Sequence, residues 1–404
     1  MIIGTGVAGA RAAATLRGEG FDGRVVLVGG EPHLPYDRPP LSKQILQGTQ
    51  SPSDIHLHPE HFYPGAGIDL RLGTEVARLL PGERRVVLAT GEAIRADKVL
   101  LCTGGVPRRL DVLGSDLEGV HYLRSLDEAL AIRAQLAGGA SLVVVGAGWI
   151  GAEVAASARA LGCPVTLLEV APTPLSRVLG ADIGNLYAQL HRDRGVDLLT
   201  GVGVARFGGD DRVREVVTTD GRTVPADLVV VGVGMEPVTG LAVEAGIAVA
   251  NGIIVDECGE TSAPGVFAAG DVANRLDVRT GRRVRREHWQ SAQRHAASTA
   301  RSMLDRRQPF SEVPWFWSDQ YGLSLQMAGD PAAADEVVRR GDVDTPCFAA
   351  FYLRQGEMVA AVGVDSPRDV RAAMKLIELG CPVDRSDLAD AGVDLRKLSK
   401  RAVA

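Results

Sequence analysis

Short apolar runs alternate with glycine turns and helix-forming stretches along much of the chain. The clearest unit has an apolar run at 141–145, a helix-forming stretch at 152–161 and a second apolar run at 165–168. Continuous apolar runs of this length are typical of strands buried in a parallel sheet. The pattern therefore predicts a strand–helix–strand unit.

The N-terminal segment repeats this pattern, with apolar runs at 1–3 and 25–28. A strand of three residues is short for the interior of a parallel sheet. The sequence leaves two alternatives open: the strand starts upstream of residue 1, or its end is frayed.

Both units carry the spacing G-x-G-x-x-G, in Gly4, Gly6 and Gly9 and again in Gly146, Gly148 and Gly151. In such turns the first glycine permits a tight turn, the second lets a pyrophosphate approach the backbone, and the third lets the helix pack on the strand. An acid ends each unit, Glu31 in the first and Glu169 in the second, and can bind a ribose diol. The pair predicts two dinucleotide sites; the alternative is two tight turns of an ordinary α/β protein.

The rest of the sequence predicts further elements around these units. A proline-rich loop at 31–43 suits a fixed backbone that points groups at a ligand. A hairpin is expected at 213–224, a strand ending in Gly-Asp at 265–271 and a helix at 290–307. Aromatic residues become frequent after 311, and a terminal helix is expected at 370–379, which indicates a small third domain without a nucleotide turn.

Composition bounds the class of protein. The chain has 404 residues, with 46% hydrophobic and 23% charged residues, which favours two or three globular domains. No apolar run approaches the roughly 20 residues of a membrane span. The net charge of −6 argues against a nucleic-acid partner. No targeting peptide is visible, so we expect a cytoplasmic protein that binds neither nucleic acid nor membrane.

The cysteines exclude several kinds of chemistry. There are five, and no two lie closer than 34 positions. A C-x-x-C redox pair, an iron–sulfur cluster and a structural zinc site are therefore not expected. His56, His58 and His61 lie close together but are interpreted as ordinary surface histidines, so no metal is predicted.

Several longer motifs resemble the NADH-dependent ferredoxin reductases of bacterial oxygenase and cytochrome P450 systems, over essentially the whole chain. The motifs are the two glycine turns and the segments 35–43 (Pro-Tyr-Asp-Arg-Pro-Pro-Leu-Ser-Lys), 265–271 (Gly-Val-Phe-Ala-Ala-Gly-Asp), 287–290 (Glu-His-Trp-Gln) and 314–319 (Pro-Trp-Phe-Trp-Ser-Asp). The proline-rich segment and 314–319 discriminate best, because many flavoproteins share the glycine turns.

The resemblance implies an α/β fold with two Rossmann-like domains, similar to glutathione reductase, and a small α+β C-terminal domain. A discontinuous FAD domain would span 1–109 and 242–310, with an NAD domain at 110–241 and the C-terminal domain at 311–404. The implied activity takes electrons from NADH through FAD to an iron–sulfur ferredoxin of the [2Fe–2S] or [3Fe–4S] type. The ferredoxin would then supply a cytochrome P450 or a ring-hydroxylating oxygenase.

The resemblance also implies the cofactor contacts. Besides the glycine turn, those of FAD are Ala8, Glu31, Arg38, Lys43, Val76, Arg124, Asp271 and Trp289. Besides the second turn, those of NAD are Ile150, Glu169, Arg177, Gly234 and Glu236. In such relatives Lys43 lies near the flavin and pairs with Glu153.

Three residues are expected to take part in electron transfer. Lys43 would stabilise negative charge on the reduced flavin, and Glu153 would balance the lysine. Trp317 would shield the flavin or contact the partner. The alternatives are a solvated loop lysine, an acid favoured by a helix N-terminus, and a core tryptophan.

Other interpretations stay open at this point. Glu169 would repel a 2′-phosphate, which favours NADH over NADPH, although Arg177 could bind that phosphate. The arginines of 279–286 could attract an acidic electron carrier or form a solvated face. Alternative functions are an NADH oxidase, disfavoured because no cysteine stands at Ser42-Lys43, and a redox-sensing flavoprotein similar to apoptosis-inducing factors.

Overall fold

The structure, a computed structural model, describes residues 1–341 and 347–401. These residues form two compact units, each built from separate stretches of the chain. The first unit comprises Met1–Asp37, Pro52–Val106 and Met235–Glu312, and the second comprises Arg38–Ser51, Pro107–Gly234 and the described residues from Val313 onward. The second half of the proline-rich loop therefore belongs to the second unit.

The helices and strands have the following bounds. The described helices are α1 Val7–Gly18, α2 Gln44–Gln47, α3 Phe62–Gly65, α4 Leu126–Leu136, α5 Trp149–Ala160, α6 Ser176–Asp193, α7 Gly240–Glu244, α8 Trp289–Met303, α9 Pro367–Leu379, α10 Arg385–Ala389 and α11 Leu395–Arg401. The described strands are β1 Ile2–Ile3, β2 Val25–Val28, β3 Ile68–Arg71, β4 Val76–Leu80, β5 Arg85–Leu88, β6 Ala93–Arg95, β7 Val99–Leu101, β8 Gly105–Pro107, β9 Val120–Tyr122, β10 Leu142–Val145, β11 Val165–Glu169, β12 Asp197–Thr200, β13 Val204–Gly209, β14 Val213–Thr218, β15 Thr223–Pro225, β16 Leu228–Val231, β17 Met235–Pro237, β18 Ile253–Val255, β19 Val266–Ala268, β20 Ala273–Asp277, β21 Arg282–Val284, β22 Trp315–Gln320, β23 Leu323–Gly329, β24 Glu336–Arg340, β25 Phe348–Arg354 and β26 Glu357–Val364.

A five-stranded parallel sheet forms the centre of the first unit, in the order β19-β7-β1-β2-β3. The middle strand β1 has only two residues, yet Ile2 is fully buried and the strand pairs with neighbours on both sides. Hydrogen bonds on two edges and complete burial stabilise so short a strand where an edge position would not.

Helices α1 and α8 pack against each other through alanine residues. Ala8 and Ala12 of α1 lie in one core cluster with Ala292, Ala296 and Ala300 of α8. Residues four apart lie on one helix face, and their small side chains let two helix axes approach closely. The predicted helix at 290–307 ran too far: α8 ends at Met303, two residues before Asp305, whose φ of +62° is left-handed.

The second unit contains another parallel sheet, in the order β12-β11-β10-β16-β9. Strands β10 and β16 are buried along their full length, as their continuous apolar runs predict. The strand–helix–strand unit β10-α5-β11 is confirmed, and so is the hairpin, in which β14 pairs antiparallel with β15.

An antiparallel sheet follows in the same unit, in the order β22-β23-β26-β25-β24. Alternate residues of β25 enter two different cores. Ala349, Phe351 and Leu353 pack with the face of α9, and Phe348, Ala350 and Tyr352 pack with α6. Since side chains alternate across a strand, helices on both faces explain why six successive residues of β25 are buried. The predicted terminal helix is confirmed as α9, while the three-domain boundaries stay a prediction.

None of the helices in the described ranges has both the length and the apolar character required to cross a bilayer.

Acid pH is expected to destabilise the second unit through His191 on α6. This side chain is fully buried, its Nδ1 lies 2.7 Å from the Tyr321 hydroxyl, and burial lowers its pKa to about 4. The unfolded chain, with a pKa near 6.5, binds a proton first as pH falls. Stability is therefore complete above about pH 6.5 and is lost towards pH 4, at up to about 1.4 kcal/mol per pH unit. The free energy of unfolding can be measured at each pH by urea unfolding followed by tryptophan fluorescence. In His191→Gln this free energy should depend less on pH over this range. An unchanged pH dependence would contradict the assignment.

Candidate dinucleotide sites and a buried lysine–glutamate pair

The first glycine turn connects β1 to α1 and leaves space at its centre. A Cβ on Gly4 would lie 2.1 Å from the carbonyl oxygen of Cys102, and one on Gly9 would lie 1.9 Å from that of Gly4. A Cβ on Gly6 would meet no heavy atom within 4 Å. Gly6 is also the N-cap of α1 and supplies no side-chain hydrogen bond. An open position at an uncapped helix N-terminus fits a pyrophosphate.

Two carboxylates lie at the same edge of this sheet. Glu31 follows β2 and Asp271 follows β19, and the carboxyl ends of parallel strands meet at one edge. The Tyr36 hydroxyl donates a hydrogen bond of 2.5 Å to Glu31 Oε2. Gly270 has a φ of +79°, and a Cβ there would lie 2.9 Å from the Ala8 side chain. The loop that carries Asp271 therefore approaches the first turn of α1 closely.

Trp289 is held at the start of α8 by Asp37. Its indole Nε1 donates a hydrogen bond of 2.6 Å to Asp37 Oδ1. Burial raises the pKa of Asp37, although this hydrogen bond acts in the opposite direction. Of the expected FAD residues, the first unit contains Gly4, Gly6, Ala8, Gly9, Glu31, Val76, Asp271 and Trp289.

The other three expected FAD residues lie in the second unit. The Arg38 guanidinium donates a hydrogen bond of 2.5 Å to the carbonyl oxygen of Arg124. Arg124 precedes Ser125, which forms a capping box with Glu128 at the start of α4. The cap fixes the backbone of Arg124, and therefore the position of the carbonyl oxygen that binds Arg38. The third residue, Lys43, lies five positions after Arg38.

The second glycine turn repeats the geometry of the first. A Cβ on Gly146 would lie 2.5 Å from the Gly232 carbonyl oxygen, and one on Gly151 would lie 1.9 Å from that of Gly146. Gly148 has no heavy atom within 4 Å of its Cβ position and caps α5 without a side-chain bond. Ile150, in the first turn of α5, is 42% exposed. This turn therefore also fits a pyrophosphate.

Glu169 is fixed beside this turn by two backbone groups. Its Oε2 accepts a hydrogen bond of 2.7 Å from the N–H of Ala147, and its Oε1 accepts one of 2.8 Å from the N–H of Ala171. Each carboxylate oxygen can accept more than one hydrogen bond, so a ribose diol can still bind. Because the carboxylate is acceptor-only, it disfavours a phosphate at the same place.

The remaining expected NAD residues lie outside the turn itself, and their contact with NAD stays a prediction. Arg177 lines a cavity of about 320 Å³ between α6 and the antiparallel sheet. Gly234, with a φ of +108°, is exposed, and its carbonyl oxygen accepts a hydrogen bond from the N–H of Arg108. Glu236 is also exposed but belongs to the first unit.

A buried ion pair joins Lys43 to Glu153. Lys43 lies between the 3₁₀ turn Pro39–Ser42 and α2, and Glu153 lies in the second turn of α5. The Nζ atom is 3.3 Å from Glu153 Oε1, and the residues are 7% and 3% exposed. The pairing expected from the resemblance is thus present. Burial raises the pKa of Glu153, while the charge of Lys43 lowers it.

Two serines that the sequence analysis missed also bind Glu153. Ser42 Oγ donates to Oε2 at 2.5 Å, and Ser318 Oγ donates to Oε1 at 2.7 Å. Both hydroxyls favour the charged form of the carboxyl. The only signal in the sequence was their position inside the two most discriminating motifs, next to Lys43 and Asp319.

Trp317 lies beside the ion pair on β22. Its ring stacks on Trp315, with centroids 5.1 Å apart, and Lys43 Nζ lies 5.6 Å from its ring centre. Lys43 Nζ is also 3.8 Å from Asp319 Oδ2 on the same strand. The ammonium group thus has a buried carboxylate, an exposed carboxylate and an aromatic face around it.

The cysteines offer no paired thiol chemistry. All five lie in described parts of the chain and are reduced. Burial raises the pKa of the Cys102, Cys163 and Cys258 thiols, which disfavours a reactive thiolate. Across 1–341 and 347–401, no three His, Cys, Asp or Glu side chains are placed to hold a metal ion.

The arginine-rich segment lies on the hairpin of β20 and β21. Arg283 donates hydrogen bonds to the carbonyl oxygens of Val255 and Asn274, and Arg286 pairs with Asp277 at 3.3 Å. Arg285 pairs with Glu287. These three guanidinium groups have partners within their own unit. The exposed arginines of the segment are Arg279, Arg282 and Arg283, so the steering interpretation stays a prediction.

Two open glycine turns on parallel sheets, each followed by an acid that can bind a ribose, are typical of oxidoreductases that bind two dinucleotides. The chain belongs to the pyridine nucleotide-disulphide oxidoreductase family, whose model matches residues 1–296. A reductase C-terminal domain matches residues 315–399.

Similar proteins extend over nearly the whole chain. The ferredoxin reductase component of chlorobenzene dioxygenase from Cupriavidus sp. (strain PS12) is 42% identical, over 98% of this chain and 96% of that protein. Rhodocoxin reductase from Rhodococcus erythropolis is 39% identical, over 98% and 93%. Among solved structures, the covalent putidaredoxin reductase–putidaredoxin complex matches with a TM-score of 0.96 at 36% identity, over 100% of this chain and 98% of that one. The ferredoxin reductase for the CYP199A2 system of Rhodopseudomonas palustris matches with a TM-score of 0.96 at 38% identity, over 98% of each chain.

Proposed function

We propose that this chain is an NADH-dependent ferredoxin reductase that acts in the cytoplasm. It holds FAD and NADH, accepts two electrons from the nicotinamide and passes them singly to a [2Fe–2S] or [3Fe–4S] ferredoxin. That ferredoxin supplies a cytochrome P450 or a ring-hydroxylating oxygenase. The relatives named as ferredoxin reductases of dioxygenase and P450 systems support this assignment.

One observation carries the proposal: each unit has an open glycine turn at an uncapped helix N-terminus. The positions are Gly6 before α1 and Gly148 before α5. The open Cβ position lets an anion approach the free backbone N–H groups at the start of each helix. Two such turns provide for a donor and an acceptor dinucleotide on one chain.

The first unit supplies the residues proposed to hold FAD. The N–H groups of α1 would bind the pyrophosphate, Glu31 the adenosine ribose and Asp271 the ribityl chain. When bound, the flavin accepts a pair of electrons and releases them one at a time. In the second unit, α5 and Glu169 would bind the corresponding parts of NADH.

Lys43, Glu153 and Trp317 are proposed to act in electron transfer. A lysine ammonium held inside the protein stabilises negative charge that appears close to it, because the low dielectric strengthens the interaction. Glu153 keeps that ammonium buried and charged before the negative charge appears. Trp317 covers Lys43 on one side and limits the access of water.

Electron transfer to a ferredoxin tests the function directly. Purified chain with bound FAD should be reduced rapidly by NADH in stopped-flow measurements. Cytochrome c should then be reduced only when a [2Fe–2S] or [3Fe–4S] ferredoxin is added. A chain that remains colourless after incubation with FAD would contradict the proposal, and so would cytochrome c reduction that no ferredoxin accelerates.

A redox sensor is the second candidate, because such a protein would also bind FAD and NADH at the two glycine turns. A sensor would show slow reduction, a long-lived charge-transfer band and NADH-dependent dimerisation. An NADH oxidase of this fold would need a reactive cysteine, whereas Ser42 and Lys43 occupy the corresponding loop. Consumption of oxygen at the rate of NADH oxidation, without ferredoxin, would favour the oxidase.

Substitution of Glu169 should weaken the preference for NADH. In Glu169→Ala the hydrogen bond to the ribose and the repulsion of a 2′-phosphate both disappear, so kcat/KM should fall about 10-fold for NADH and rise for NADPH. Steady-state kinetics with both cofactors measure the ratio. Glu31→Ala is the matched control. It alters the proposed FAD site and should leave the ratio of kcat/KM for NADH to that for NADPH unchanged. An unchanged ratio in Glu169→Ala would remove the assignment.

A further inference from the structure

Glu153 has three donors, and the lysine is the most distant of them. Ser42 donates to Oε2 at 2.5 Å and Ser318 to Oε1 at 2.7 Å, whereas Lys43 lies 3.3 Å from Oε1. Each carboxylate oxygen therefore has its own hydroxyl donor without the lysine. A buried carboxylate that loses its only cation takes up a proton, but one that keeps two donors can remain charged.

Neighbouring hydrogen bonds hold both serines beside Glu153. Ser318 Oγ accepts a hydrogen bond from Gln320 Nε2 at 3.3 Å, so its own proton is available for Glu153. The carbonyl oxygen of Ser42 accepts one from Ser157 Oγ at 2.7 Å, and Gln47 donates to Ser157 at 3.0 Å. These bonds hold both serines in place whether or not Lys43 is present.

Lys43 has a second carboxylate within reach. Asp319 Oδ2 lies 3.8 Å from Nζ, and its side chain is 40% exposed against 9% for that of Lys43. The titratable groups that face Glu153 from the elements around it are Lys43, Asp319 and, on α6, Tyr187. The Lys43 ammonium thus lies near two carboxylates, those of Glu153 and Asp319. The hydroxyls of Ser42 and Ser318 bind the Glu153 carboxylate.

We propose that Ser42 and Ser318 are positioning residues that hold the Glu153 carboxylate independently of Lys43, so that the ammonium can leave it for another anion without Glu153 taking up a proton. This rests on the proposed function, in which the other anion is the reduced flavin. The balance is then one flavin, two electrons and one proton, which give the anionic reduced flavin. Without the serine hydroxyls, Glu153 takes up a second proton when the lysine departs.

The first test follows the ionisation of Glu153 and needs no electron transfer. The carboxyl band in infrared spectra of the oxidised holoprotein, assigned with Glu153→Gln, gives the pH at which the group titrates. In Lys43→Met this midpoint should rise by about 1 pH unit, and in Lys43→Met combined with Ser42→Ala and Ser318→Ala by about 2 more. Equal midpoints in the two Lys43→Met backgrounds would overturn the proposal.

The second test counts protons during reduction. The pH dependence of the flavin midpoint potential, measured by spectroelectrochemistry, should correspond to one proton per two electrons in the wild type and two in Ser42→Ala/Ser318→Ala. Ser302→Ala is the control: it removes a buried hydroxyl on α8 that donates to the carbonyl oxygen of Ser298, and it should keep the count at one. Ser318→Thr retains a hydroxyl and should also give one proton per two electrons.

The two tests separate this inference from the function on which it rests. If the double alanine variant does not fold, Ser318→Ala alone must move the infrared midpoint upward, and no movement overturns the proposal. If the wild-type chain binds FAD and shows the expected carboxyl titration but delivers no electrons to any ferredoxin, the proposed function fails while the role of the serines stands.

Discussion

Gly148→Val should strongly weaken NADH binding while FAD stays bound. Gly148 has an ordinary φ of −75° and no heavy atom within 4 Å of its Cβ position, so valine fits the fold. The added side chain occupies the space through which a pyrophosphate reaches the N–H groups of α5. We expect KM for NADH to rise roughly 100-fold or more, with an unchanged flavin absorption spectrum.

Two matched substitutions control this result. Gly6→Val, the equivalent change in the first unit, should yield folded protein without flavin. Gly151→Val should instead destabilise the second unit, because its Cβ would lie 1.9 Å from the Gly146 carbonyl oxygen. Loss of flavin from Gly148→Val, with retention in Gly6→Val, would mean that the two cofactor assignments are exchanged.

Lys43→Met should slow flavin reduction by NADH about 100-fold. The substitution keeps the apolar stem but removes the ammonium that stabilises negative charge, an effect comparable to loss of one donor in an oxyanion site. It also removes the cation beside the buried Glu153 carboxylate. Because the two serine hydroxyls still bind that carboxylate, the loss should cost only about 1.4 kcal/mol of stability. Stopped-flow absorbance measures the rate, and urea unfolding measures the stability.

The double variant Lys43→Met/Glu153→Gln separates the two effects. A neutral amide needs no cation, so stability should recover towards the wild-type value while the reduction rate stays low. A rate that recovered together with stability would show that Lys43 acts only in folding. Lys43→Arg keeps the charge, but its planar fork does not match the single-point contact of an ammonium, so we expect partial activity.

The nucleotide turns were predictable because their geometry is local. The spacing of Gly146, Gly148 and Gly151 and the apolar runs around them lie within about 30 residues, and the structure reproduces that unit almost residue by residue. The end of α8 was less predictable, since the left-handed backbone at Asp305 has no sequence signal as clear as a glycine.

The surroundings of Glu153 were only partly predictable. Its pairing with Lys43 followed from a family resemblance, but the hydroxyls of Ser42 and Ser318 did not follow from any pattern. These partners lie 111 and 165 positions from Glu153 along the chain, and no periodicity links residues so far apart. The division of the proline-rich loop between the two units after Asp37 was missed for the same reason.

By itself the sequence determined the two glycine turns between strand and helix, the acids that follow them and the absence of closely spaced cysteines, because each depends on residue type and short spacing. Only the tertiary structure decided which oxygen of Glu153 accepts each hydrogen bond. It also decided that β25 is buried on both faces. Such contacts depend on how distant segments pack, which is set by the whole core rather than by any local run of residues.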